Sequence, residues 1–70
     1  MTAEEYEAAF HGMQLPEGPI ELSQGVTVKD VPLFVTKELT ILKSANNERV
    51  KGAVRRRLDR LIQLINKTNQ

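Results

Sequence analysis

The chain has no cysteine and no tryptophan, and its 70 residues include one tyrosine, two phenylalanines and one histidine. The lack of cysteine removes disulfides, thiolate nucleophiles and sulfur-ligated metal sites together. His11, with no second histidine to share an ion, is read as a surface residue complementing the negative end of a helix, so neither a metal nor a cofactor is expected. Gly12, Gly18, Gly25 and Gly52 are too scattered to form a phosphate-binding loop. Ser23 and Ser44 stand in no nucleophile motif, and nothing near Glu17 and Glu21 is predicted to bury them and tune an acid and base pair. With no catalytic residue to name, the chain is not expected to be an enzyme. No apolar run approaches the ~18 residues of a membrane span. The opening MTAEEYEAAF is acidic where a secretory signal would be basic. A soluble, cytoplasmic protein is expected.

What is present points to one domain over residues 1–70. A domain this small buries only about 60% of its unfolded surface, so nearly every large apolar side chain is needed inside. Charge is unevenly placed. Residues 1–30 carry six acids (Glu4, Glu5, Glu7, Glu17, Glu21 and Asp30) against the lone base Lys29, whereas residues 31–70 carry nine bases against three acids. Such polarity fits either an acidic segment folded against a basic one or a basic face kept for a partner.

The expected architecture is mainly α: a small three-helix domain, with a short N-terminal helix, an antiparallel helical hairpin, and an extended or β-hairpin-like strap between the first and second helices. Thr2 and Glu5 have capping-box spacing, predicting a helix over about 2–11 whose apolar face is Tyr6, Ala9, Phe10 and Met13. Pro16 and Pro19 make LPEGP a rigid turn that no helix can enter. IEL and VTV then alternate on either side of Ser23, Gln24 and Gly25, with Ile20, Leu22, Val26 and Val28 expected on one face. The turn and extended stretch over 15–30 form either a strap across the bundle or a binding loop, since connections this long are often functional. Asp30 caps and Pro32 starts a second helix over about 31–44, with Val31, Phe34, Val35, Leu39, Ile41, Leu42 and Ala45 inward and Leu33 outside that sector. SANNE supplies a turn before a third helix over about 47–66 with Val50, Ala53, Val54, Leu58, Leu61, Ile62, Leu64 and Ile65 inward.

The run LPEGPIEL, then Gly25, then VTVKDV, LFV and a leucine-rich helical hairpin resembles a family of short bacterial proteins known only as a domain of unknown function. The likeness spans roughly residues 5–66. It implies a bacterial origin and a small compact domain, and it brings no activity, cofactor or site.

Two charge patterns stand out on the helical hairpin. RRRLDR is not one surface, because successive helical residues point about 100° apart. Arg49, Arg56, Arg60 and Lys67 do align, within about 40° of one another. That basic stripe could meet phosphates, seat the acidic first helix, or remain a solvated flank. Glu38 and Arg57, in contrast, fall inside the apolar sectors of the second and third helices. In an antiparallel hairpin turning at Asn46 and Asn47 they stand nearly equidistant from the turn, so they are expected to meet as a structural ion pair that fixes helix register. The rival arrangement has both side chains reaching out to solvent. Three short helices cannot hide all of Leu15, Leu33, Ile41 and Leu64 without the strap, and any left exposed together would form a partner patch. The expected function is therefore that of a small interaction or accessory domain that binds protein, including a second copy of itself, with a nucleic-acid-binding module as the alternative. No membrane partner and no small-molecule substrate is expected.

Overall fold

The computed structural model describes residues 1–68. Residues 69 and 70, which the expected domain includes, lie outside the described residues. The element order is α1 (Ala3–His11), β1 (Ile20–Ser23), β2 (Val26–Val28), α2 (Val31–Ser44) and α3 (Glu48–Thr68). The fold is mainly helical, with a two-stranded antiparallel hairpin between α1 and α2.

The helix ends follow local chemistry. At α1 the Thr2 hydroxyl accepts from the Glu5 amide at 3.2 Å, and the Glu5 carboxylate accepts from the Thr2 amide at 2.7 Å. The bond from the Thr2 amide, followed by the Thr2 side chain, holds the Glu5 carboxyl below its ordinary pKa, because donors to the carboxylate favour its charged form. The Asp30 carboxylate accepts from Leu33 N–H at 3.1 Å, and Pro32 occupies the first turn of α2. The Asn47 side chain accepts from Arg49 N–H at 2.8 Å and starts α3, which continues to Thr68, two residues beyond the expected 66.

The connection between α1 and α2 is a strap packed on the core. Gly18 has φ +119°, a conformation that favours glycine, and a Cβ there would overlap the Lys29 carbonyl oxygen. The rigid turn is thus pressed against the end of the hairpin; the Gly18–Pro19 peptide is cis. β1 and β2 pair Ile20 with Val28, Glu21 with Thr27 and Ser23 with Val26, leaving Leu22 as the unmatched residue of an irregular register. Leu22 and Val28 are buried, and Arg60 Nε of α3 donates to the Leu22 carbonyl at 3.3 Å.

The core lies where α2, α3, α1 and the strap converge. Tyr6 and Phe10 of α1, Val31, Val35, Leu39 and Leu42 of α2, and Val54, Leu58, Leu61 and Ile65 of α3 are all buried. Each such side chain contributes roughly 1.5–3 kcal/mol on leaving water. Three inward assignments are corrected. Val26 is 49% exposed, because the irregular register places it opposite Ser23 at the hairpin tip. Ile41 is 40% exposed and Val50 41%, since they face a flank of the helical hairpin that neither α1 nor the strap covers. Leu33, expected outside the inward sector, is 49% exposed. Leu15 and Leu64 are partly buried against the core.

Candidate functional site

Glu38 and Arg57 meet across the α2–α3 seam. Arg57 Nε and Nη2 donate to the two carboxylate oxygens of Glu38, the second at 3.2 Å, in a two-pronged pair. Burial is unequal: the Glu38 side chain is 6% exposed and that of Arg57 41%. Glu38 is therefore the desolvated member, and the guanidinium reaches in from the surface to neutralise it. The bonds to Glu38 raise the Arg57 pKa, outweighing its partial desolvation. The three arginines diverge as the helical repeat requires, with Arg55 lying toward Thr2 and Ala3 of α1, Arg56 in solvent and Arg57 on Glu38.

The basic stripe lies on the outer face of α3. Arg49, Arg56, Arg60 and Lys67 are all exposed, about 150° round the helix from the mean direction of the buried positions. Among the described residues none of the four has an ion-pair partner. Arg60 is tied to the strap through the Leu22 carbonyl, which leaves Arg49, Arg56 and Lys67 unengaged among the described residues. The stripe is not the seat of acidic α1. That helix docks elsewhere, through Tyr6 Oη donating to the Asp59 carboxylate at 2.7 Å and through a Glu7–Lys43 ion pair at 2.8 Å. Neither pairing was legible in the sequence, since both link positions far apart in the chain. The only available signal was Tyr6, a residue that finds a hydroxyl partner when buried.

A groove of about 300 Å³ runs between α1 and α2 over Phe10, Leu15, Val35 and Leu39, with His11 and Lys43 at its rim. Apart from His11 at the rim, its polar groups are already committed. Lys43 holds Glu7, while the Thr36 and Thr40 hydroxyls donate to carbonyls of their own helix at 3.1 and 2.9 Å. It offers little with which to orient a ligand. Among the described residues no group of three or more His, Asp or Glu side chains is placed to hold a metal ion, and no helix is long and apolar enough to cross a membrane.

The opposite side of α2 is different. Leu33, Phe34, Lys37 and Ile41 occupy about 100° of that helix, on the flank away from Leu39 and Lys43, where α1 docks. On α3, Val50, Ala53, Arg57 and Leu64 lie within about 60° of one another. The Glu38–Arg57 pair joins these two flanks into one face. A groove of about 310 Å³ between β2 and α2 extends it, with Val26, Leu33 and Phe34 as apolar lining and Lys29 and Lys37 at the edge. Apart from Met1, every large apolar residue that is exposed among the described residues (Val26, Leu33, Ile41 and Val50) falls on this face. Single exposed apolar residues are ordinary, whereas a run of them on one side marks an interaction surface.

No curated protein and no solved structure matches the chain. A family model does match, over residues 1–67. The chain belongs to the family described as Domain of unknown function (DUF6965).

Proposed function

We propose that this chain is a small, non-catalytic accessory domain of a bacterial cytoplasm that works by binding another protein through the apolar face of α2 and α3. The observation that supports this reading is the gathering of Val26, Leu33, Ile41 and Val50 on one side of the molecule while α1 docks on the other. A domain small enough to need nearly every large apolar side chain inside, yet leaving four of them in water on a single face, gains nothing in stability from them there. The Glu38–Arg57 pair suits such a face, since it keeps the two helices in register without adding an unpaired charge to its centre.

A photo-crosslinking amino acid at Ile41, compared with one at Gln63 on the outer face of α3, tests the proposal in cells of the source organism. A discrete adduct with one protein from position 41 alone is the expected result; an adduct the mass of two chains identifies self-association. Equal labelling from both positions defeats the proposal. The second reading, nucleic-acid binding through Arg49, Arg56 and Lys67, draws on their exposure and lack of ion-pair partners among the described residues. It requires affinity for DNA or RNA that falls steeply with salt, by about one unit of log-log slope per phosphate contacted. No shift of either nucleic acid at low salt removes it.

A further inference from the structure

We infer that the occupant of this face is an acidic amphipathic helix supplied by a different protein, an inference that rests on the protein-binding proposal and specifies its partner. Charge around the apolar residues decides the chemistry. Lys29 and Lys37 edge the face on the β2 and α2 side, and Arg49 edges it on the α3 side. All three are exposed, and none has an ion-pair partner among the described residues.

Neither helix adds an unpaired acid to this face. Glu38 is the only acid of α2 and is buried in its pair. Of the acids of α3, Glu48 and Asp59 point to the far side, where Glu48 meets Lys51 and Asp59 accepts the Tyr6 hydroxyl. Asp30, beside the β2 groove, is held in capping α2. An apolar ribbon with basic edges is complementary to a helix presenting apolar residues at i, i+3 or i+4, and i+7 with Asp and Glu beside them.

A second copy fits this face poorly. A two-fold dimer would set the same patch against itself and bring Lys37 and Arg49 of each copy toward basic edges of the other. The acidic helix that the chain does own, α1, has already spent its apolar face, Tyr6 and Phe10, on its own core. The span also suits a helix, since Leu33 to Ile41 alone covers about 12 Å along α2, enough for about two turns of a partner.

The test is selection of a random peptide-display library on the full chain, followed by fluorescence anisotropy of the selected peptides against three variants. Leu33→Ser with Ile41→Ser removes the apolar anchors, Lys37→Glu with Arg49→Glu inverts the edges, and Lys51→Glu is a single charge reversal on the α1 side. All five positions lie at the surface or partly exposed, so folding is little affected, and far-UV circular dichroism checks this. The expected result is a set of acidic, helix-patterned peptides whose affinity falls about tenfold or more on each double variant and is unchanged by Lys51→Glu. Neutral or basic peptides that still depend on Leu33 and Ile41 would overturn the acidic partner while leaving the protein-binding face standing. Failure to select any peptide, or peptides indifferent to both double variants, would overturn the two together. So would a short DNA duplex that binds in place of peptides and is released by Arg49→Glu with Arg56→Glu.

Discussion

At the scale of single residues, the unequal burial of Glu38 and Arg57 sets what each substitution costs. Arg57→Ala strands a carboxylate that is almost wholly out of water and is expected to lower stability by about 2–4 kcal/mol. Glu38→Ala leaves a guanidinium that is already half in solvent and should cost less. Replacing both with leucine should be nearly neutral, because burying the pair costs about as much as its attraction returns. Urea unfolding of the two single variants and the double one measures the coupling directly, and a coupling near zero would show that the pair has no role in holding the helices. This meeting was legible because two charges stood inside otherwise apolar sectors at nearly equal distances from the turn. The Tyr6–Asp59 and Glu7–Lys43 bonds were not, because each joins exposed or ordinary helix positions through a packing geometry that no local pattern encodes.

At the scale of elements, the strap and the uncovered flank behave oppositely on substitution. Leu22 is buried at the unmatched position of β1, so Leu22→Ala is expected to destabilise by roughly 2–5 kcal/mol, enough to leave a domain of this size marginal. Val26→Ala, at the exposed tip, should change stability by less than about 0.5 kcal/mol. Gly18→Ala should resemble Leu22→Ala, because its backbone is left-handed and its Cβ would meet the Lys29 carbonyl. Thermal melts of the three variants check the order. Helix boundaries were readable because caps are local: Thr2 with Glu5, Asp30 with Pro32, and Asn47. The exposure of Ile41 and Val50 was not, since periodicity gives a direction round a helix and not which neighbour occupies it. Val26 escaped for a related reason, because an irregular register shifts one strand end without a signature in an alternating sequence.

At the scale of the whole molecule, the acidic and basic halves of the chain meet only in part. Acidic α1 is held against α2 and α3 by Glu7–Lys43 and Tyr6–Asp59, on the side away from the apolar face. Burial first, then the bond to Asp59, raises the Tyr6 pKa from 10.0 to about 12. A raised value means that folding favours the neutral phenol. Its contribution is full below pH 10 and is lost as pH climbs through 12, by roughly 3 kcal/mol. A stability profile from pH 8 to 12 should therefore fall at its upper end, and Tyr6→Phe should flatten that fall. The charge polarity was visible in the sequence, but the use of the basic half was not, because it depends on which flank α1 leaves open. The most direct measurement is equilibrium urea unfolding of the chain carrying Leu33→Ser, Ile41→Ser and Val50→Ser together. If these side chains serve a partner and not the fold, the unfolding free energy stays within about 1 kcal/mol of the parent. A loss of several kcal/mol, comparable with Leu22→Ala, would place them in the core and contradict the assignment of this face to binding.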